Sequence, residues 1–192
     1  LFISTELLLD KQYARTLKTR KNFLYFNELK LDYNDLKITD SDKKEIQEIE
    51  FNRNYKDIEI GKAWMVNEGK DVSIFATGHL VWEAIQAAEA LLEKGIKAEV
   101  INIHTIKPLD VQAILASVKK TGCVVTAEEH QYNGGLGDSV AQYLAMNHPT
   151  PMEFVGVNDS FGESGKPAEL MEKYGLNAEA IVAKAMKVMA RK

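Results

Sequence analysis

From Ile58 onward the chain alternates short apolar runs with longer stretches of helical spacing, and that alternation limits the folds open to it. Ala63-Trp64-Met65-Val66 and Val72-Ser73-Ile74-Phe75-Ala76 have strand character, and the loop Asn67-Glu68-Gly69-Lys70-Asp71 between them is of hairpin length. This reading makes the first two strands an antiparallel pair. A helix over about Leu80–Glu93 follows, with Val81, Ala84, Ile85, Ala88, Leu91 and Leu92 on one stripe and Gly95 as its stop. Ala98–Ile103 reads as a strand, and Pro108 as the opening of a helix whose apolar face is Val111, Ile114, Leu115 and Val118. Cys123–Thr126 and Met152–Val157 read as two more strands, with a helix between them and two closing helices near Pro167–Tyr174 and Ala178–Ala190. Strands separated by helices need parallel crossovers buried on both faces. The expected fold class is therefore α/β, a three-layer α/β/α sandwich.

Residues 1–57 do not share the pattern. Residues 1–50 hold 9 Lys/Arg and 10 Asp/Glu but neither glycine nor proline, the residues that punctuate a compact α/β fold. We read 1–57 as a mostly helical extension and 58–192 as the folded domain. The window Lys11, Arg15, Lys18, Arg20, Lys21 suits a solvated helical face or a partner-binding patch. A net charge of −4 without a long basic run argues against nucleic-acid binding, and the apolar runs are too short to span a membrane. No leader sequence is read near Leu1, where Glu6 and Asp10 interrupt the apolar residues. Cys123 is the one cysteine, which rules out an internal disulfide and fits a reducing cytoplasm; its place in a strand suggests a small buried hydrophobe.

Candidate chemistry gathers where strands end. His79, His104 and His130 each follow a strand-like run, so parallel strands would carry all three to one edge, with Glu128, Glu129 and Asp159. Such a set suits a metal site, an acid–base cluster or a polar contact between domains. No pair of histidines one helical turn apart supports the metal. The loop Asn133-Gly134-Gly135-Leu136-Gly137 before a helix could cradle a small anion or a nucleotide phosphate. It is neither GxGxxG nor a P-loop, since no Lys-Ser/Thr pair follows. Glu128, Glu129 and Asp138 bring up to three negative charges against the roughly half positive charge of a helix start. Their sum should repel phosphate, which leaves Gly134, Gly135 and Gly137 as glycines for a tight turn and close packing. Further on, Asn158–Pro167 reads as an ordered loop with Ser164 as a helix cap. Neither Ser160 nor Ser164 lies in GxSxG, so a nucleophilic role has little support.

Four blocks carry a resemblance: Ala76–Ile96 (ATGHLVWEAIQAAEALLEKGI), Val100–Asp110 (VINIHTIKPLD), Thr126–Gln142 (TAEEHQYNGGLGDSVAQ) and Val157–Leu176 (VNDSFGESGKPAELMEKYGL). In this order and spacing they resemble the C-terminal domain of transketolases over about Ile58 to Lys192. The same domain type recurs in deoxyxylulose phosphate synthase and in the beta subunits of 2-oxo-acid dehydrogenases. DSFGESG, and EEH ahead of GGLG, point to transketolase itself. The resemblance implies a five-stranded, mostly parallel sheet with one antiparallel strand. It also implies an enzyme that moves a two-carbon ketol unit between sugar phosphates in the pentose phosphate pathway. Thiamine diphosphate and Mg or Ca would be held by two other domains at a dimer interface. This sequence has no GDG followed by paired asparagines, and nothing in it matches the domain whose glutamate activates the aminopyrimidine. No catalytic, cofactor-binding or metal residue carries over, and the three histidines do not match the family's substrate histidines. The expectation is a cytoplasmic assembly domain, inactive alone, that joins the missing cofactor-binding domains or subunit and forms a homodimer. The alternative is a regulatory module that binds a small anion or nucleotide at Gly134–Gly137. On either reading the interface or ligand edge comprises His79, His104, Glu128, Glu129, His130, Gly134, Gly135, Gly137, Asp159 and Ser160.

Overall fold

All five residues of Val72–Ala76 are buried, the mark of a central strand covered on both faces. The computed structural model describes residues 59–192; the expected extension and its basic window lie outside the described residues. The elements are β1 (Trp64–Asn67), β2 (Val72–Ala76), α1 (Leu80–Glu93), β3 (Ala98–Asn102), α2 (Val111–Thr121), β4 (Val124–Gln131), α3 (Leu136–Asn147), β5 (Met152–Val157), α4 (Pro167–Lys173) and α5 (Ala178–Met189). They build one five-stranded sheet in the order β1-β3-β2-β4-β5. Strands β2 to β5 run parallel, and β1 is antiparallel to β3. On one face α2 and α3 pack Ile114, Val118, Leu136, Val140 and Leu144 against Phe75, Ile101 and Val124. The other face is covered by α1 and α5, which also pack on each other. The sandwich is as expected.

The expected hairpin does not form. Met65 of β1 pairs with Ile101 of β3, while β2 lies between β3 and β4. The link from β1 to β2 instead crosses the start of β3. There the Lys70 and Asp71 amides donate to the Lys97 carbonyl at 2.9 and 3.0 Å. The Asn67 carboxamide reaches the Ala98 carbonyl at 2.8 Å, and the Asp71 carboxylate accepts from the Lys97 amide at 2.7 Å. The four residues Glu68–Asp71 suffice to step over one strand, roughly 4.8 Å wide. Loop length therefore does not choose between a hairpin and a crossing, and the two-sided burial of β2 decides for the crossing.

Helix starts depart from expectation at two places. Asp110, not Pro108, opens α2: its carboxylate accepts from the Ala113 amide at 3.1 Å and from the Ala63 amide at 2.8 Å. Burial raises the Asp110 carboxyl, but the Ala63 and Ala113 amides and the Lys62 charge outweigh it and leave it below its usual range. Ser164 is exposed and does not cap α4, which begins at Pro167 behind Lys166 without a side-chain cap.

Polar groups inside the sandwich are joined in local sets. The Ser73 hydroxyl meets those of Ser117 at 2.6 Å and Thr121 at 2.5 Å, and Thr121 donates to the Ser117 carbonyl at 3.1 Å, which ties β2 to α2. Wholly buried Glu99 of β3 pairs with Lys120 of the same helix. At the sheet edge Glu153 of β5 pairs with Lys184 and Lys187 of α5 at 3.0 and 3.1 Å and with Arg191 at 3.4 Å. Burial raises the Glu153 carboxyl, and the two lysines more than reverse that, leaving it lowered. Cys123 is buried and free, as a small hydrophobe would be.

A Cβ on Gly69 would sit 2.2 Å from the Ala98 carbonyl carbon, so only glycine fits the crossing without a backbone shift. Gly69→Ala should lower stability by about 1–3 kcal/mol, the usual cost of overpacking, read as a lower urea midpoint with an unchanged m-value.

Candidate functional site

The glycine loop lies at the carboxyl edge of the sheet, and a buried carboxylate explains its composition. Glu128 of β4 is buried, and its two oxygens accept from the Leu136 and Gly137 amides, each at 2.7 Å. These are amides of the first turn of α3, the donors a helix leaves unpaired. Gly134 takes φ 80° to make the turn. A Cβ on Gly135 would stand 2.1 Å from Glu128 Oε2, and one on Gly137 would stand 2.7 Å from the Phe154 ring. The glycines thus clear a path for the chain's own carboxylate, and the Asp138 side chain accepts from the Gly134 amide at 3.1 Å.

Glu128 is itself the anion on the helix start and leaves no free amides there for another, while Asp138 helps close the turn. Strand β4 also runs on to Gln131 instead of ending at Thr126. Its pairing with β5 shifts between Ala127 and Gln131. Such a bulge breaks the strict alternation of side chains: Glu128 is buried, while Glu129 and His130 are both exposed.

The topology carries the remaining candidates to the same edge. Neighbouring β2 and β4 are followed by α1 and α3, which cover opposite faces; this is the switch point of an open α/β sheet. His79 sits at the start of α1, exposed and without a cap bond to the helix. His104 Nε2 lies 3.1 Å from the Glu59 carbonyl, and His130 Nδ1 lies 2.7 Å from the Gln131 carbonyl. Asp159 and Ser160 are exposed beyond β5. No grouping of three or more His, Cys, Asp or Glu among the described residues could hold a metal ion. The edge is shared, but its histidines do not converge.

One residue at this edge escapes the sequence. Gln131 Oε1 accepts from the Asp159 amide at 2.8 Å, and its Nε2 donates to the Ser160 carbonyl at 2.9 Å. A lone glutamine after a strand carries no signature of such a clamp. Asp110 was legible by the helix-cap rule, because its side chain bonds the amide three residues on.

The start of α3 does not fit the diphosphate of thiamine diphosphate. The glycine-loop helix start is the natural seat for a diphosphate, and Glu128 fills it.

Residues 61–181 match the model of the transketolase C-terminal domain. The chain belongs to the transketolase family through this domain. It is 52% identical over 133 residues to a 6-deoxy-6-sulfo-D-fructose transketolase subunit of Clostridium sp. (strain MSTE9), covering 69% of this chain and 41% of that one. It is 43% identical over 134 residues to a putative transketolase C-terminal section of Methanocaldococcus jannaschii, covering 69% and 42%. A solved split-gene transketolase, an inactive beta4 tetramer, matches with a TM-score of 0.67 and 45% identity over 69% of this chain and 44% of the other. The chain thus spans about two fifths of the length of these relatives.

Burial pushes the Glu128 carboxyl above its usual 4.5; the Gly137 and Leu136 amides and the His130 charge oppose the rise without cancelling it. The native state therefore holds this proton to a higher pH than the unfolded chain. Its contribution to stability falls as pH rises from about 4.5 through the native value. Glu128→Gln should lose one of the two amide partners, cost about 1–3 kcal/mol, and lack that slope. Urea midpoints at pH 5 and 7 should show the gap to wild type widening toward the lower pH.

Proposed function

We propose that this chain is the assembly domain of a transketolase-like enzyme that transfers a two-carbon ketol unit between sugar phosphates, and that it is inactive by itself. On this reading thiamine diphosphate and Mg or Ca sit on other domains or on a partner subunit. The working enzyme is a cytoplasmic homodimer of the pentose phosphate pathway. The observation that carries the proposal is Glu128 on the start of α3: a carboxylate from the chain occupies the place where a phosphate would bind. The relatives support it, since those named above are a transketolase subunit, a transketolase C-terminal section and a split-gene transketolase tetramer called inactive. Cys123, buried and unpaired, suits a reducing compartment. An anion or nucleotide module at Gly134–Gly137 would need the amides that Glu128 already takes.

The purified chain should show no heat of binding with thiamine diphosphate and Mg in calorimetry, and no turnover of xylulose 5-phosphate with ribose 5-phosphate. Turnover by the chain alone would overturn the assembly role. Millimolar inorganic phosphate or ADP should leave the melting temperature unchanged. A concentration-dependent rise abolished by Gly135→Asp would favour the anion module instead.

A further inference from the structure

The loop that leaves β5 is exposed along its whole length, yet its backbone is fixed. Every residue from Asn158 to Glu169 is exposed, and Phe161 is 97% exposed. Gln131 bonds the backbone on both sides of the Asp159–Ser160 link. The Tyr174 hydroxyl donates to the Phe161 carbonyl at 3.3 Å, and Lys173 holds the Glu163 carboxylate at 2.6 and 2.7 Å. Asp159 sits at φ 41°, in the left-handed region that Asp and Asn enter more readily than other residues with a side chain. Five side-chain bonds hold the loop around a phenylalanine ring that faces solvent. An ordered aromatic with no cover in its own domain marks an anchor for another surface.

We propose that Asn158–Gly165 is a preformed docking element, with Phe161 as its anchor, for the cofactor-binding part of the enzyme that the relatives carry beyond the matched region. This rests on the assembly reading above and names its contact. Three observations choose that occupant. The loop leaves the carboxyl end of β5, on the edge that open α/β sheets use for binding. More than half of each relative's length lies outside the match, so those chains carry further sequence that could supply the cover. Exposed Glu129 and Asp159 share the edge with Phe161, so the seat should be an apolar slot rimmed by lysine or arginine. A second copy docking through the same patch about a two-fold axis would set these carboxylates against their own kind.

The test is a titration of this chain with the unmatched part of the Clostridium subunit, expressed separately and checked for folding by circular dichroism. Wild type should bind, more weakly as salt is raised. Phe161→Ser and Gln131→Ala should each weaken binding at least tenfold, while Met146→Ser, a change at an exposed apolar residue on α3, should not. Phe161 supports no core, so its variant should melt with the wild type. Binding of Phe161→Ser within twofold of wild type would overturn the docking element and leave the assembly role standing. No binding by the wild type would overturn both. A change in the chain's own oligomeric state caused by Phe161→Ser in sedimentation would assign the loop to a second copy and end the proposal.

Discussion

The contact between Glu128 and the first turn of α3 organises this domain. It joins a central strand to the helix that follows, across a turn whose glycines make room for it. Leu136, Val140 and Leu144 descend from that turn into the core, against Phe75 and Val124. A helix start needs its free amides satisfied, and a buried carboxylate needs donors; each requirement meets the other here. The exchange is reciprocal, so neither group has a good alternative if the other is lost.

This arrangement separates the domain from dinucleotide-binding sheets with which it shares a layout. Both place a glycine turn and a helix start at the carboxyl edge, and in those sheets a phosphate completes the turn. Here the completing group is covalently part of the chain. The histidines on the same rim bond to backbone carbonyls or stand exposed, in keeping with a surface that meets protein. The match to the transketolase C-terminal domain takes in this sheet and its rim.

Much of the architecture was legible because burial leaves a periodic trace. The two-sided apolar runs at Val72–Ala76 and Val124–Ala127 mark parallel strands, and the stripe from Leu80 to Leu91 marks a covering helix. What periodicity does not record is adjacency. The four residues between β1 and β2 suit a hairpin as well as a crossing; the two-sided burial of β2 and Gly69 pressed on the Ala98 backbone mark the crossing. Direction is equally hidden. Glu128 and Glu129 look alike in sequence, but the bulge buries one and exposes the other. The contribution of Gln131 was illegible because its partners at Asp159 and Ser160 lie on another strand's loop. At the start of α2 two local rules competed, and the cap bond of Asp110 overrode the preference of proline for a first turn.

The Glu153 cluster has an electrical consequence. One carboxylate stands among three cations, Lys184, Lys187 and Arg191, which leaves a positive surplus near the start of β5. At the far end of that strand Asp159, with Glu129 from the adjoining β4, gives the rim the opposite sign. The domain is therefore polarised along β5. A polarised body turns in the field of a charged neighbour before the two touch, so its long-range charges already bias which end arrives first.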